Sequence, residues 1–254
     1  MPTVDSIYRY PVKGLNAEKL PAADLTPGHG LAGDRAYAIA HGTTDFDPAA
    51  PEHLRKTKFL TLMTHPRLAE LKVGWEEDDG AISLTCQGRE VMRAALQNQK
   101  DVDALNGFLT DFIGGEAKGA PRLVTAPGHM FSDVRENCLS LINLASVRAL
   151  GEGLGQALDP LRFRGNINVE GLDPWIERSW EEGDELIVGA SRLRVMRQIV
   201  RCAATNVDPD TAVVDVDIPT TLRKSFEQNV MGVYVEVLSG AAIRPGDPVN
   251  RVEG

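Results

Sequence analysis

Three cysteines in 254 residues, Cys86, Cys138 and Cys202, stand far apart with no CxxC pair. That spacing excludes a disulfide framework and a zinc ribbon, and fits reduced thiols in a cytosol. The chain has no excess of positive charge: a formal net charge of −9 argues against nucleic-acid or anionic-membrane partners, both of which need a basic face. No apolar run approaches the roughly 20 residues of a membrane span. No basic segment followed by an apolar one opens the chain, so a soluble, cytoplasmic protein is expected. The five histidines show neither HxxxH nor HExxH spacing, which leaves no histidine metal site, and no serine nucleophile elbow is present. Internal repeats and low-complexity tracts are lacking as well.

What is there is ordinary globular material, 43% hydrophobic and 25% charged, enough for a sizeable core. Strand-like runs dominate. Val4–Val12, Lys58–Met63, Ala81–Cys86, Pro121–Thr125, Leu139–Leu144, Leu186–Val188, Leu193–Val200, Gly232–Leu238 and Asp247–Val252 are short and separated by turn signals. Between them, Asp101 caps a predicted helix through Val102, Leu105, Leu109 and Phe112 that Gly114 stops. A second helix begins near Ser146, and a short one carries Pro66 in its first turn. The pattern predicts a β-rich, mixed β/α fold, a barrel or closed mixed sheet, with a seam at 114–119.

Gly28-His29-Gly30-Leu31-Ala32-Gly33 matches GxGxxG, but the last glycine opens a run in which Arg35, Tyr37 and Ile39 alternate as in a strand. A dinucleotide fingerprint needs a helix there, so a tight loop is expected instead. Arg162 to Val169 also alternates, which predicts a strand with Arg162, Arg164, Asn166 and Asn168 on one face and apolar residues on the other.

The chemistry converges on Arg197 to Thr211. A strand-like run delivers Cys202, preceded by Arg201, into an Asp208-Pro209-Asp210-Thr211 turn. A lone cysteine before a turn also suits a small core residue. Beside cations its thiolate is favoured, the form that ligates soft metals or carries sulfane sulfur. Lys13, Arg35, Arg164 and Asn166 are candidates for charge-assisted contacts to a phosphorylated ligand.

Several stretches are similar to one family: Ile7-Tyr8-Arg9-Tyr10-Pro11-Val12-Lys13-Gly14, Gly33-Asp34-Arg35, Arg162-Phe163-Arg164-Gly165-Asn166, Arg201-Cys202 with Val207-Asp208-Pro209-Asp210-Thr211, and Ile243 to Val249. They resemble the MOSC family, named for the molybdenum cofactor sulfurase C-terminal domain, and within it the branch of the mitochondrial amidoxime-reducing components and their bacterial relatives. The resemblance implies a MOSC-type β-barrel over 120–254 and a smaller α/β subdomain within the N-terminal region 1–119, whose residues 1–42 complete the barrel. It implies a molybdenum ion on a pyranopterin phosphate, ligated by Cys202, in a pocket lined by Lys13, Gly14, Arg35, Arg164, Asn166 and Arg201. The implied activity is reduction of small N-hydroxylated compounds to amines. No C-terminal iron–sulfur cysteine cluster is seen, so electrons are expected from a separate donor protein of ferredoxin, flavoprotein or cytochrome type. Two other readings stay open, a sulfur carrier with a Cys202 persulfide and a non-catalytic cofactor-binding module. The chain departs from the branch at Gly14, Val200, Gly165 and Val134-Arg135, and the first two remove hydroxyl groups from the implied pocket.

Overall fold

The computed structural model describes residues 1–76 and 80–252. Its main feature is an eight-stranded sheet in the order Val249–Arg251, Glu185–Val188, Ser191–Val200, Val230–Ser239, Leu139–Asn143, Ile167–Glu170, Thr3–Arg9 and Glu18–Leu20. Leu139–Asn143 lies inside this sheet and is buried along its whole length. It runs parallel to Ile167–Glu170, reached through the Leu144–Leu154 helix, and every other pairing in the sheet is antiparallel. Asn143 caps that helix, accepting from Ala145 N at 3.0 Å, and Gly155 ends it in the left-handed region.

The strand pairing is not a closed ring, since Glu18–Leu20 and Val249–Arg251 are its ends. The start of Thr3–Arg9 nevertheless reaches the opposite edge. Val4 N donates to Asp247 O at 2.8 Å, Gly246 N to Val4 O at 2.7 Å and Val249 N to Pro2 O at 2.9 Å. These bonds draw the two edges around one apolar core, which includes Val4, Ile7, Leu141, Val169, Leu186, Val195, Val235 and Val249. Along Val230–Ser239, Val233, Val235 and Val237 are buried there, and the period of two sends Tyr234 to the other face.

A second core lies between a three-stranded meander, Leu71–Glu76, Ala81–Cys86 and Arg89–Ala95, and the Gln99–Ile113 helix. A small sheet of Val12–Lys13, Tyr37–Ala40 and Arg122–Thr125 adjoins it. The helix buries Leu105 and Leu109, as its spacing predicts, but its third buried residue is Ile113, Val102 and Phe112 being only half-buried, and Asn98 is the cap, accepting from Lys100 N at 3.0 Å. Asp101 instead accepts from Ala95 N at 3.1 Å and ties the helix to the strand before it. Gly28 to Gly33 is a loop, as expected, with no helix after it.

Two expected strands are absent. At 56–58 there is a turn of 3₁₀ helix, and Phe59 makes only a bridge to Ala40. Arg162 to Val169 is not one strand either: Pro160–Phe163 is 3₁₀, Arg164 turns with φ 52°, and the strand begins at Ile167. Asp159 starts that turn by accepting from Leu161 N at 2.8 Å, and Pro160 suits its first position. Arg162 and Phe163 are both buried in that turn, so the period-two alternation in the sequence does not correspond to two faces of a strand.

Candidate functional site

One cleft of about 910 Å³, counted out to its mouth, is lined by all seven residues singled out from the sequence: Lys13, Gly14, Arg35, Arg164, Asn166, Arg201 and Cys202. They come from four separate parts of the chain. Lys13 ends the Val12–Lys13 strand, Arg35 precedes Tyr37–Ala40, Arg164 and Asn166 follow the 3₁₀ turn, and Arg201 and Cys202 follow Ser191–Val200.

The cations differ in what balances them. Lys13 is buried; its Nζ donates to Phe131 O at 2.9 Å and to Asp133 Oδ1 at 2.5 Å. Burial holds the Lys13 ammonium below the usual lysine value against the opposing pull of Asp133. Asp133 in turn lies below the usual carboxylate range, because the attraction and hydrogen bond of Lys13 outweigh its own desolvation. Arg35 pairs with the buried carboxylate of Asp34, which also accepts from Tyr10 N at 2.8 Å. Arg35 Nη2 reaches Arg164 O at 3.2 Å, and the backbone at Arg35 has φ 51°. Arg162 is 3% exposed and bound on three sides: Nη1 and Nη2 donate to Asp215 Oδ1 and Oδ2 at 2.8 Å each, Nη2 to Asp208 Oδ2 at 2.8 Å, and Nη1 to Asn206 O at 3.2 Å.

Arg164 and Arg201 have no carboxylate partner among the described residues. Arg164 stacks over the Tyr10 ring at 4.4 Å and donates through Nη1 to Leu15 O at 2.6 Å, while its buried Nη2 has no hydrogen-bond partner. Arg201 donates through Nε to Met231 O at 2.8 Å and through Nη1 to Phe163 O at 2.9 Å. Burial pulls both guanidiniums down to about 10, still charged at neutral pH. Buried Arg201 and partly buried Arg164, hydrogen-bonded only to neutral carbonyls, leave the cleft with positive potential.

Cys202 is half-buried. It starts the Ala203–Asn206 3₁₀ turn, and its carbonyl accepts from Thr205 N at 3.1 Å and Thr205 Oγ1 at 2.8 Å. The following turn is fixed from within: Asp208 Oδ1 accepts from Asp210 N at 3.0 Å, Thr211 N at 2.8 Å and Thr211 Oγ1 at 2.9 Å. Arg162 clamps Asp208 from outside, so the stretch after the cysteine is held at both ends. Val200, beside Arg201, is 63% exposed at the mouth of the cleft.

Asn166 lines the cleft, but its amide is spent on the frame. Oδ1 accepts from Ser140 N at 3.0 Å and Ser140 Oγ at 2.8 Å, and Nδ2 donates to Tyr8 O at 3.2 Å. It therefore ties Leu139–Asn143 to Thr3–Arg9 and sets the spacing of the cations on either side. Gly14 has φ 89°, and a Cβ there would lie 3.0 Å from Leu60 O. The backbone at this position is one that a serine would strain. Gly165 is required by close approach, since an added Cβ would sit 2.3 Å from Ile142 Cγ1.

Sequence reasoning missed Tyr234, Cys138, Asp133 and Ser140, which line the same cleft. For Tyr234 the signal was available in its phase on the strand, opposite to Val233 and Val235. Cys138 is buried, and desolvation pushes its thiol up to about 12, so it is a neutral wall residue. Among the described residues, no group of three or more His, Cys, Asp or Glu side chains is arranged to hold a metal ion. No described helix is long and apolar enough to cross a membrane.

A cysteine at the end of a long strand of the main sheet, inside a cation-lined cleft on a strand-rich mixed fold, defines a class. The chain belongs to the MOSC family: residues 126–250 match the MOSC domain and residues 1–121 match the MOSC N-terminal beta barrel domain. The family is associated with the molybdenum cofactor. Among curated relatives, human mitochondrial amidoxime reducing component 2 is 31% identical over 126 residues, covering 45% of this chain and 37% of the relative. The Caenorhabditis elegans molybdenum cofactor sulfurase is 23% identical across 98% of this chain and 36% of its own length. The matches thus span little more than a third of either relative. Among solved structures, the YUAD protein from Bacillus subtilis aligns over 98% of this chain and 94% of its own, at 12% identity and a TM-score of 0.45.

Proposed function

We propose that the cleft binds a molybdenum–pyranopterin phosphate and that the chain reduces N-hydroxylated compounds to amines with electrons from a separate donor protein. The observation that carries this reading is the buried, unpartnered Nη2 of Arg164 in a cleft that also presents Cys202. The donor set fits the group. A phosphate supplies the acceptor oxygens that Arg164 lacks, and Arg201, Lys13 and Arg35 add positive charge around it. Cys202 supplies one thiolate, a ligand suited to a soft metal. When bound, the group supplies two-electron redox chemistry.

The chain's own residues then have separate tasks. Arg164 and Arg201 hold the anion, and Asp133 keeps Lys13 charged in its buried position. Asn166 and Ser140 tie the segment after Arg164 to the Leu139–Asn143 and Thr3–Arg9 strands. Arg162 fixes the turn that follows Cys202. Metal analysis of protein from a cofactor-competent host tests the reading. Molybdenum near one per wild-type chain, lost in Cys202→Ala, is the expected result; a metal-free wild type refutes it.

The match to a cofactor sulfurase over 98% of the chain favours a second reading, transfer of sulfur through a Cys202 persulfide. It predicts a +32 Da adduct on Cys202 by mass spectrometry, on the order of one sulfur atom, after incubation with a desulfurase. An unmodified thiol counts against it.

A further inference from the structure

Next to the cleft lies a second cavity of about 660 Å³, counted out to its mouth, to which the site as described gives no task. It opens between the N-terminal region and the MOSC domain and shares Gly14, Leu62, Arg162 and Arg164 with the cleft. Its walls include the apolar side chains of Leu15, Ala17, Leu62, Leu161, Val207 and Pro209. Lys72 lines it too, its Nζ donating to Pro209 O at 2.5 Å.

Most of the polar groups in this cavity are already spent. Tyr10 donates its hydroxyl to Gly165 O at 3.3 Å, while Asn16 donates through Nδ2 to Ala17 O at 3.0 Å and accepts from Val73 N at 2.5 Å. Arg162 Nη1 and Nη2 are held by Asp208 and Asp215, and Asp210 lies 3.6 Å from Lys72. Two N–H groups are left over, both on residues of the wall shared with the cleft: Arg162 Nε and Arg164 Nη2 are buried and have no hydrogen-bond partner among the described residues. Unpaired guanidinium N–H groups beside a cavity call for an acceptor. The two cations are not equal. Arg162 is neutralised by two carboxylates, whereas Arg164 has none, so an anionic head belongs at Arg164. Beyond that head the apolar walls offer no hydrogen bonds, which calls for an apolar body.

We propose that this cavity binds a small carboxylic acid with an apolar body, its carboxylate on Arg164 and its body against Leu15, Leu161 and Val207. Arg164 borders the main cleft as well, so an acid here and a phosphate there draw on one guanidinium. Each weakens the other by the same factor. Neither contact depends on which reaction the main cleft carries out.

The test titrates benzoate, and benzyl alcohol as its neutral counterpart, into the full chain and follows binding by NMR; phosphate binding is followed by calorimetry with and without benzoate. The expected dissociation constant for benzoate is about 1 mM or lower, with benzyl alcohol weaker by about tenfold or more. Arg164→Gln brings benzoate down to the level of the alcohol. Ala17→Trp fills the cavity from a half-buried wall position and abolishes benzoate binding, while phosphate binding stays within about twofold. Leu161→Trp does the same from another half-buried position, and a melting curve admits only folded variants. In wild type, benzoate weakens phosphate by about threefold or more, and in the blocked variants it does not. Equal binding of acid and alcohol, no saturation by about 10 mM, or benzoate binding that survives both blocking variants overturns the proposal. So does competition between acid and phosphate that persists in those variants, since it places the acid in the main cleft.

Discussion

Replacing Arg162 with methionine removes a guanidinium whose bonds secure the turn after Cys202. The side chain is 3% exposed, while its partners Asp208 and Asp215 are 24% and 34% exposed. Breaking a fully buried ion pair costs about 3–5 kcal/mol, and a surface pair is worth at most about 1 kcal/mol. Water still reaches both carboxylates, which lowers the penalty to about 2–3 kcal/mol. For a chain of this size that is a fall in Tm of about 4–12 °C. The pH dependence has a definite sign. Asp208 lies below the usual carboxylate range: burial alone would raise it, but the Thr211 and Asp210 bonds and the Arg162 charge prevail. A depressed carboxylate stabilises the fold above its unfolded pKa and loses that contribution as pH falls through its folded pKa. The deficit of Arg162→Met is therefore full at pH 7 and shrinks below about pH 4. Thermal denaturation of both proteins across that range measures it. A difference in Tm under about 2 °C at pH 7, or one that persists undiminished in acid, refutes the reasoning.

Three further outcomes follow from the same geometry. Arg164→Gln weakens the binding of inorganic phosphate by about tenfold, the loss of one charge-assisted contact, and leaves Tm unchanged or raised, because a partly buried cation without a carboxylate is removed; calorimetry and a melting curve read both. Asp133→Asn removes the carboxylate that keeps the buried Lys13 ammonium charged and weakens phosphate binding severalfold, more so as pH rises, with tighter binding as the contrary result. Gly14→Ala, at φ 89° and 3.0 Å from Leu60 O, lowers stability by about 1–3 kcal/mol in chemical denaturation, whereas Val200→Ser, at a position 63% exposed, stays within about 0.5 kcal/mol.

Much of the site was legible because its residues advertise themselves chemically. Arg201-Cys202 ahead of a polar turn, and cations at strand ends, are unusual enough to stand out, and all of them reach one cleft. The backbone that brings them there was less visible. Arg35 and Arg164 both sit at positive φ, a conformation that side chains of their kind do not announce. The alternation from Arg162 to Val169 imitated a strand, although Asp159-Pro160 already marked the start of a turn. Leu71–Glu76 and Arg89–Ala95 went unread because few of their side chains are buried, two in the first and one in the second, so their pattern is weak. Asn166 was legible as a site residue but not as what it is locally: a brace between strands whose hydrogen bonds are all internal.

The bonds between residues 2–4 and 246–249 bear on the order of events in the cell. The wall that carries the cleft joins one segment to another made some 240 residues later, roughly 10–50 s later at ordinary translation rates. During that interval Lys13 and Arg35 exist without Arg201, Cys202 or Tyr234, and the sheet's edges have nothing to meet. Any ligand that needs cations from both halves therefore enters only once both segments have been made. Its capture waits on the segment that closes the wall, and until then the half-sheet's edges stay open.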